Sequence, residues 1–221
     1  SFLLMIVYKT FISNKNITSS YVSIFSKDQA SSLSSDLICI PNFYENKNLI
    51  NTQDIRNRLT FLGRSEHRKG MNIFINSIDS YILNKLKPTI ITNKNLNKTF
   101  IDSYLNPSDE TKFKLLNESK LFVVPYTKNE SFGVVILEAI FNGCVVICSD
   151  IPVFKNILKE SGIYFDNKNS FSLNNSIKNT LNLDLDKIWK SQYKEVSRYK
   201  TELVMRSWIE LYNTKMLGSN K

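Results

Sequence analysis

Short apolar strands alternating with helix-patterned segments predict an α/β fold, a parallel sheet with helices on both faces. Three observations carry this. Strand candidates at residues 59–62, 89–92, 120–124, 144–148 and 162–165 are separated by segments with helical signals. These strands are continuously apolar rather than alternating, the pattern of strands buried on both faces. The chain has 221 residues, 42% of them hydrophobic. That is enough for one sizeable α/β domain, or one domain plus a fragment.

The elements follow in order. Residues 2–12 are apolar and read as a helix. Residues 21–25 and 37–40 read as short strands, the second stopped by Pro41 and Asn42. Residues 45–57 are polar and aperiodic, and read as a linker. The strand at 59–62 ends at Gly63. Met71, Phe74, Ile75, Ile78, Ile82 and Leu86 have helical spacing and predict one helix over 71–83. Residues 100–105 fit either element. Ser108 opens a helix whose first turn holds Asp109 and Glu110, where acidic groups oppose the helix dipole. The strand at 120–124 is stopped by Pro125, and a helix over 133–141 ends at Asn142–Gly143. Pro152 opens a further helix, and everything from Ser170 reads as helical.

Composition excludes several classes. The apolar content rules out disorder as the main state. Six Gly and three Cys exclude collagen-like and disulfide-scaffold chains. No apolar run approaches the roughly 18–20 residues of a membrane span, and residues 2–7 lack the basic flank of a signal peptide. The net charge is +9, from 23 Lys and 6 Arg against 20 acidic groups, with 26 Asn. The Lys and Asn are spread evenly, so the charge reads as compositional drift; nucleic-acid readers cluster Arg with aromatics. A mildly basic face near anionic lipid is compatible with it. Unpaired Cys spacing fits a reducing compartment and a cytoplasmic location, peripheral to the inner membrane face if lipid is engaged. Cys144 and Cys148 read as plain buried thiols.

The chemistry concentrates in two stretches. In residues 121–150 a strand ends at Pro125, a polar loop follows, and Phe132–Gly133 opens a helix. Free amides at that helix start, with a Gly allowing close approach, suit a phosphate. Glu138 is the one polar residue in a helix otherwise apolar from Val134 to Phe141. A carboxylate there needs a partner. Five residues beyond Gly133 it stands about 7.5 Å along the axis, the reach from a diphosphate to a ribose diol. An internal Lys or Arg would serve equally as partner. Glu130, in the loop above, would meet the far end of the same ligand or stand as a solvated charge. In residues 59–70, Arg64 and Lys69 bracket the loop after a strand end. Such cations clamp a diphosphate and carry the charge that develops as it leaves.

The run from Glu130 to Glu138 resembles the E-x7-E motif of retaining GT-B glycosyltransferases, in particular glycosyltransferase family 4. Gly63–Arg64 followed by Lys69–Gly70 is similar to the family's G-R-x4-K-G signature. Ser149–Asp150–Ile151–Pro152, Ser161–Gly162–Ile163 with Asp166, and the closing helix with Trp208 and Tyr212 fit it too. The resemblance implies a Rossmann-like domain, the C-terminal half of a GT-B fold. Residues 51–221 would be this nucleotide-sugar domain with its C-terminal helices, and 1–50 a remnant of the N-terminal domain plus linker. It implies that Arg64 and Lys69 hold the donor diphosphate beside Gly63. Glu130 would contact the transferred sugar, and Ser131, Phe132, Gly133 and Val134 would frame the phosphate site. Glu138 would hold the ribose hydroxyls. The catalytic set would be Arg64, Lys69 and Glu130. A hexose would pass from a nucleotide-diphospho-sugar with retention, by front-face attack, with no cofactor and no metal.

The sequence also departs from the family. Ile90 to Asn95 lacks the usual glycines, Tyr126 replaces the usual Ser, and Asn156 stands where a Glu is usual. Implied partners are the nucleotide-sugar, a carbohydrate or glycolipid acceptor, an N-terminal domain or partner subunit outside this chain, and a peripheral membrane contact, with no nucleic acid. Polysaccharide synthesis is a frequent role of the family. The alternative is a non-catalytic module that binds a nucleotide-sugar or docks a partner. Among other candidates, His67 reads as a loop residue. Asp184–Leu185–Asp186 reads as a helix start rather than a metal motif. Trp189, Trp208 and Tyr212 read as packing, with an apolar patch left exposed.

Overall fold

The computed structural model describes residues 19–21, 37–44, 56–128 and 130–217. The expected helix at 2–12 and most of the expected linker lie outside them. The chain divides into two compact units, Glu45–Ser197 and the pair of segments Ser1–Tyr44 and Arg198–Lys221.

The larger unit holds a six-stranded sheet, parallel throughout. Its strands are β3 (Arg58–Leu62), β4 (Lys87–Thr92), β5 (Asp102–Leu105), β6 (Ser119–Val124), β7 (Val145–Ser149) and β8 (Ile163–Phe165). They lie in the order β5-β4-β3-β6-β7-β8. The chain thus runs outward in one direction from β3, returns, and runs outward in the other from β6. This is the doubly wound order with a switch point between β3 and β6, where such sheets bind ligands at their C-terminal strand ends. Right-handed crossovers on the two sides of the switch place their helices on opposite faces. Every residue of β7 is buried, and β6 is buried but for half-exposed Lys120.

The helices are α1 (Met71–Asn76), α2 (Ser80–Lys85), α3 (Asp109–Asn117), α4 (Val134–Phe141), α5 (Pro152–Leu158), α6 (Ser170–Leu181) and α7 (Leu185–Val196). One packing group joins α1 to α6, and another sets α4 and α5 against α7. The expected continuous helix over 71–83 is two helices. The Ser77 hydroxyl donates to the Phe74 carbonyl, and Asp79, in extended conformation, accepts from the Ile82 amide. Short polar side chains offer the backbone an alternative to the helix ladder, and here they win. Phe74 and Ile82 are both fully buried, so the apolar phase survives the break. Residues 102–105 resolve as an edge strand. Ser108 caps α3 through the Thr111 amide, as expected.

Gln192 completes the sheet where β8 stops short. Its side chain is fully buried, accepts from the Val146 amide at 2.9 Å and donates to the Val146 carbonyl at 2.9 Å. Val146 lies one residue before β8 begins pairing at Ile147. Gln192→Leu keeps the volume but leaves two buried backbone groups without partners. At 1–3 kcal/mol for each unmade bond it should cost about 2–6 kcal/mol in urea unfolding, and a loss below about 0.5 kcal/mol would refute this role.

In the smaller unit, β1 (Ser19–Tyr21) pairs in parallel with β2 (Leu37–Cys39). Tyr44 donates its amide to the Tyr199 carbonyl at 3.1 Å, ahead of α8 (Thr201–Leu217). Trp208, Ile209 and Tyr212 on α8 are exposed.

Candidate functional site

Two loops meet at the switch point, one leaving β3 and one leaving β6. The first turns through Glu66 and a short 3-10 turn, His67–Lys69, and is closed by Gly70 at φ +70°. A Cβ on Gly70 would fall 1.8 Å from the Pro125 carbonyl oxygen. The absence of a side chain lets the first loop lie directly on the end of β6. Three hydrogen bonds fasten them. Thr127 donates its amide to the Arg68 carbonyl at 2.8 Å, and its hydroxyl reaches the same carbonyl at 3.3 Å. The Tyr126 hydroxyl donates to the Leu62 carbonyl at 2.9 Å. Tyr126 is 2% exposed, and its hydroxyl pKa is pushed up by burial first and then by the charges of Glu130 and Glu138.

The clasp delivers Lys69 to the cleft. Its ammonium stands 2.7 Å from Glu130 Oε2 and 3.8 Å above the centre of the Tyr126 ring. Glu130 Oε1 accepts the Gly133 amide at 3.2 Å. Arg68 ties the loop together, with Nε 2.7 Å from Glu66 Oε2 and a guanidinium nitrogen 3.8 Å from Glu130 Oε2. Arg64 is three-quarters exposed and stands 3.7 Å from Glu66. Three cations therefore share two carboxylates at the strand ends.

A cavity of about 720 Å³ opens beside them. Its wall includes Gly63, Arg64, Arg68, Lys69, Asn93, Lys112, Tyr126 and Glu138. Of the expected site residues, Gly63, Arg64, Lys69 and Glu138 share this wall, and Glu130 joins through Lys69. Ser131, Phe132, Gly133 and Val134 lie outside the lining. Phe132 turns into the core at 3% exposure, and the Gly133 amide is taken by Glu130. Gly133, at φ +90°, opens α4 with no side-chain cap.

Glu138 has the internal cation that its apolar helix called for. Lys112, from α3, stands 3.2 Å from Glu138 Oε1 and 3.0 Å from Asp109. Burial alone would lower the Lys112 pKa; hydrogen bonds and charge from Asp109 and Glu138 overcome it, and the net shift is upward. Sequence reasoning missed Lys112, Arg68 and Tyr126 as site members. Tyr126 was visible only as a departure from a family pattern. Nothing in the local pattern of the other two points at a partner 26 or 62 residues away.

The remaining candidates resolve plainly. His67 lies exposed in the 3-10 turn. Asp184 caps α7 through the Lys187 amide, and Asp186 pairs with Lys190. Among the described residues no cluster of three or more His, Cys, Asp or Glu is placed to hold a metal ion. Trp189 donates its indole N–H to the Ile140 carbonyl at 2.9 Å, a packing role. Cys144 and Cys148 are buried and free, and burial pushes the Cys144 thiol up to about 12.

Solved structures share this fold. Sucrose-phosphate synthase from Thermosynechococcus elongatus superposes with a TM-score of 0.79 at 16% identity, over 99% of this chain and 63% of that one. A glycosyltransferase from Rickettsia africae gives 0.76 at 16% identity, over 95% and 67%. The Anabaena protein HepE, solved with UDP-glucose, gives 0.74 at 15% identity, over 89% and 64%. The chain thus spans under two thirds of the sucrose-phosphate synthase chain it matches. No curated protein matches it in sequence. The family model described as glycosyl transferases group 1 matches residues 42–199, a span that contains the six-stranded sheet and both clasped loops. The chain belongs to the glycosyl transferases group 1 family.

Proposed function

We propose that the chain is the donor-binding part of a retaining glycosyltransferase of family 4 type, which moves a hexose from a nucleotide-diphospho-sugar to a carbohydrate or glycolipid acceptor. The observation that carries this reading is the group Arg64, Arg68 and Lys69 at the C-terminal ends of β3 and β6. Such a group fits a diphosphate, and Glu138 across the cavity fits the ribose. The HepE structure with UDP-glucose supports the class of donor.

In this reading the bond between the anomeric carbon and the β-phosphate oxygen breaks. The acceptor oxygen bonds to that carbon on the same face, and its proton passes to the leaving phosphate. Lys69 and the arginines balance the charge that grows on the diphosphate, so no metal is required. On donor entry, Glu130 exchanges the Gly133 amide and Lys69 for hydroxyls of the sugar, and frees both for phosphate oxygens. An N-terminal domain or a partner subunit supplies the acceptor site, and the reaction takes place in the cytoplasm.

Calorimetry with UDP, GDP and ADP, each with and without an attached hexose, tests the reading. One nucleotide should bind at micromolar concentration. Arg64→Ala should weaken it by about tenfold or more, the 1.5–3 kcal/mol of a charge-assisted hydrogen bond. Equal affinity in the wild type and the variant, or no binding at all, would overturn it.

A further inference from the structure

Glu138 is asymmetric in its contacts. Oε1 is held by Lys112 at 3.2 Å, while Oε2 receives no hydrogen bond among the described residues. Both side chains lie on the cavity wall, 15% and 19% exposed. Lys112 is itself fixed twice, by Glu138 and by Asp109, and its ammonium lies 4.6 Å from the centre of the Phe113 ring. The cation therefore comes from a different helix, α3, and clamps one oxygen of a carboxylate on α4. A glutamate side chain has three torsions, the last of them broad, and a free carboxylate would spread over several orientations. Pinning one oxygen leaves the other at a set place on the cavity wall, ready to accept from a hydroxyl.

We propose that Lys112 is a positioning residue for the ribose end of the donor: it holds Glu138 by Oε1 so that Oε2 accepts a ribose hydroxyl. This rests on the reading of the cavity as a nucleotide-sugar site. Lys112 is not asked to touch the ligand. Its effect should pass through Glu138 and so depend on the ribose diol. Loss of a cation that merely attracted the diphosphate would weaken every nucleotide alike. Loss of one that merely braced α3 against α4 would lower stability and be indifferent to the sugar hydroxyls.

The test titrates wild type, Lys112→Met, Lys112→Arg and Arg64→Ala with UDP and with 2′,3′-dideoxyuridine diphosphate, and follows thermal unfolding of each. Wild type should prefer UDP. Lys112→Met should lose about tenfold in UDP affinity, the scale of one charge-assisted contact, and bind the dideoxy nucleotide nearly as well as wild type. Lys112→Arg should recover most of the preference for UDP. An equal loss for both nucleotides, or a UDP affinity untouched by Lys112→Met, overturns the proposal. If Arg64→Ala weakens UDP while Lys112→Met does not, only the positioning role falls. Where GDP or ADP binds in place of UDP, the same titrations use that nucleotide and its 2′,3′-dideoxy form. If Arg64→Ala leaves nucleotide binding unchanged, or none of the three nucleotides binds, the donor-site reading falls and this proposal falls with it.

Discussion

Lys69→Ala is expected to lower the rate of glycosyl transfer by about 100-fold or more, and to act on kcat far more than on KM. Removing one preorganised donor from the place where charge develops costs roughly 10²–10³ in kcat. Lys69 suits that role by its surroundings. Its side chain is 14% exposed, and its ammonium lies over a Tyr126 ring that is 2% exposed. A charge in so little water acts strongly on a leaving diphosphate. Arg64, three-quarters exposed, is more screened and should matter less. The fold should survive, because Glu130 keeps the Gly133 amide and the Arg68 guanidinium. Lys69→Arg should recover only part of the rate: the guanidinium is longer and planar, and does not reproduce a compact ammonium over the ring. Steady-state kinetics on the wild-type and variant proteins decides the matter. A turnover within about threefold of wild type, under 1 kcal/mol of transition-state stabilisation, would remove Lys69 from the chemistry.

What the sequence made legible, and what it hid, separates along physical lines. The ends of β3 and β6 could be read because continuous apolar runs stop at Gly63 and Pro125, and a parallel sheet puts its ligands at such ends. Glu138 could be read because a carboxylate in an apolar helix demands a partner. The identity of that partner could not, because Lys112 sits in a helix as polar as any surface helix. Only the sheet order brings α3 to α4. Arg68 was hidden for the same reason, one more cation in a basic loop until the fold sets it 3.8 Å from Glu130. The helix over 71–83 was overread because Phe74 and Ile82 keep one apolar phase across a break that Ser77 and Asp79 make with their own side chains. The amides at residues 132–134 were read as open because a helix start shows nothing of what will cap it. In the structure the Gly133 amide is taken by Glu130, one of the expected site residues itself.

Gly70→Ala should destabilise the larger unit by about 3 kcal/mol or more. Two costs add. A left-handed backbone at φ +70° costs an L residue about 1–2 kcal/mol. The new Cβ would lie 1.8 Å from the Pro125 carbonyl oxygen and 2.7 Å from its carbon. These are backbone atoms at the end of β6, so nothing flexible can give way, and overpacking of this kind costs about 1–3 kcal/mol. For a unit of this size the sum lowers Tm by roughly 6–12 °C. Gly70→Asn separates the two costs, because Asn adopts a left-handed backbone more readily yet carries the same Cβ. It should recover about 1 kcal/mol at most. The damage reaches the site as well. Relief of the clash requires the loop to lift from β6, which breaks the Thr127–Arg68 bonds and draws Lys69 away from Glu130. Nucleotide affinity should therefore fall with stability, even at temperatures where the variant is folded. Urea unfolding and calorimetry on the same samples measure both. A Gly70→Ala protein within about 0.5 kcal/mol of wild type would mean that the two loops are free to part. The cations would then owe their grouping to their own carboxylates, and not to the absence of a side chain at residue 70.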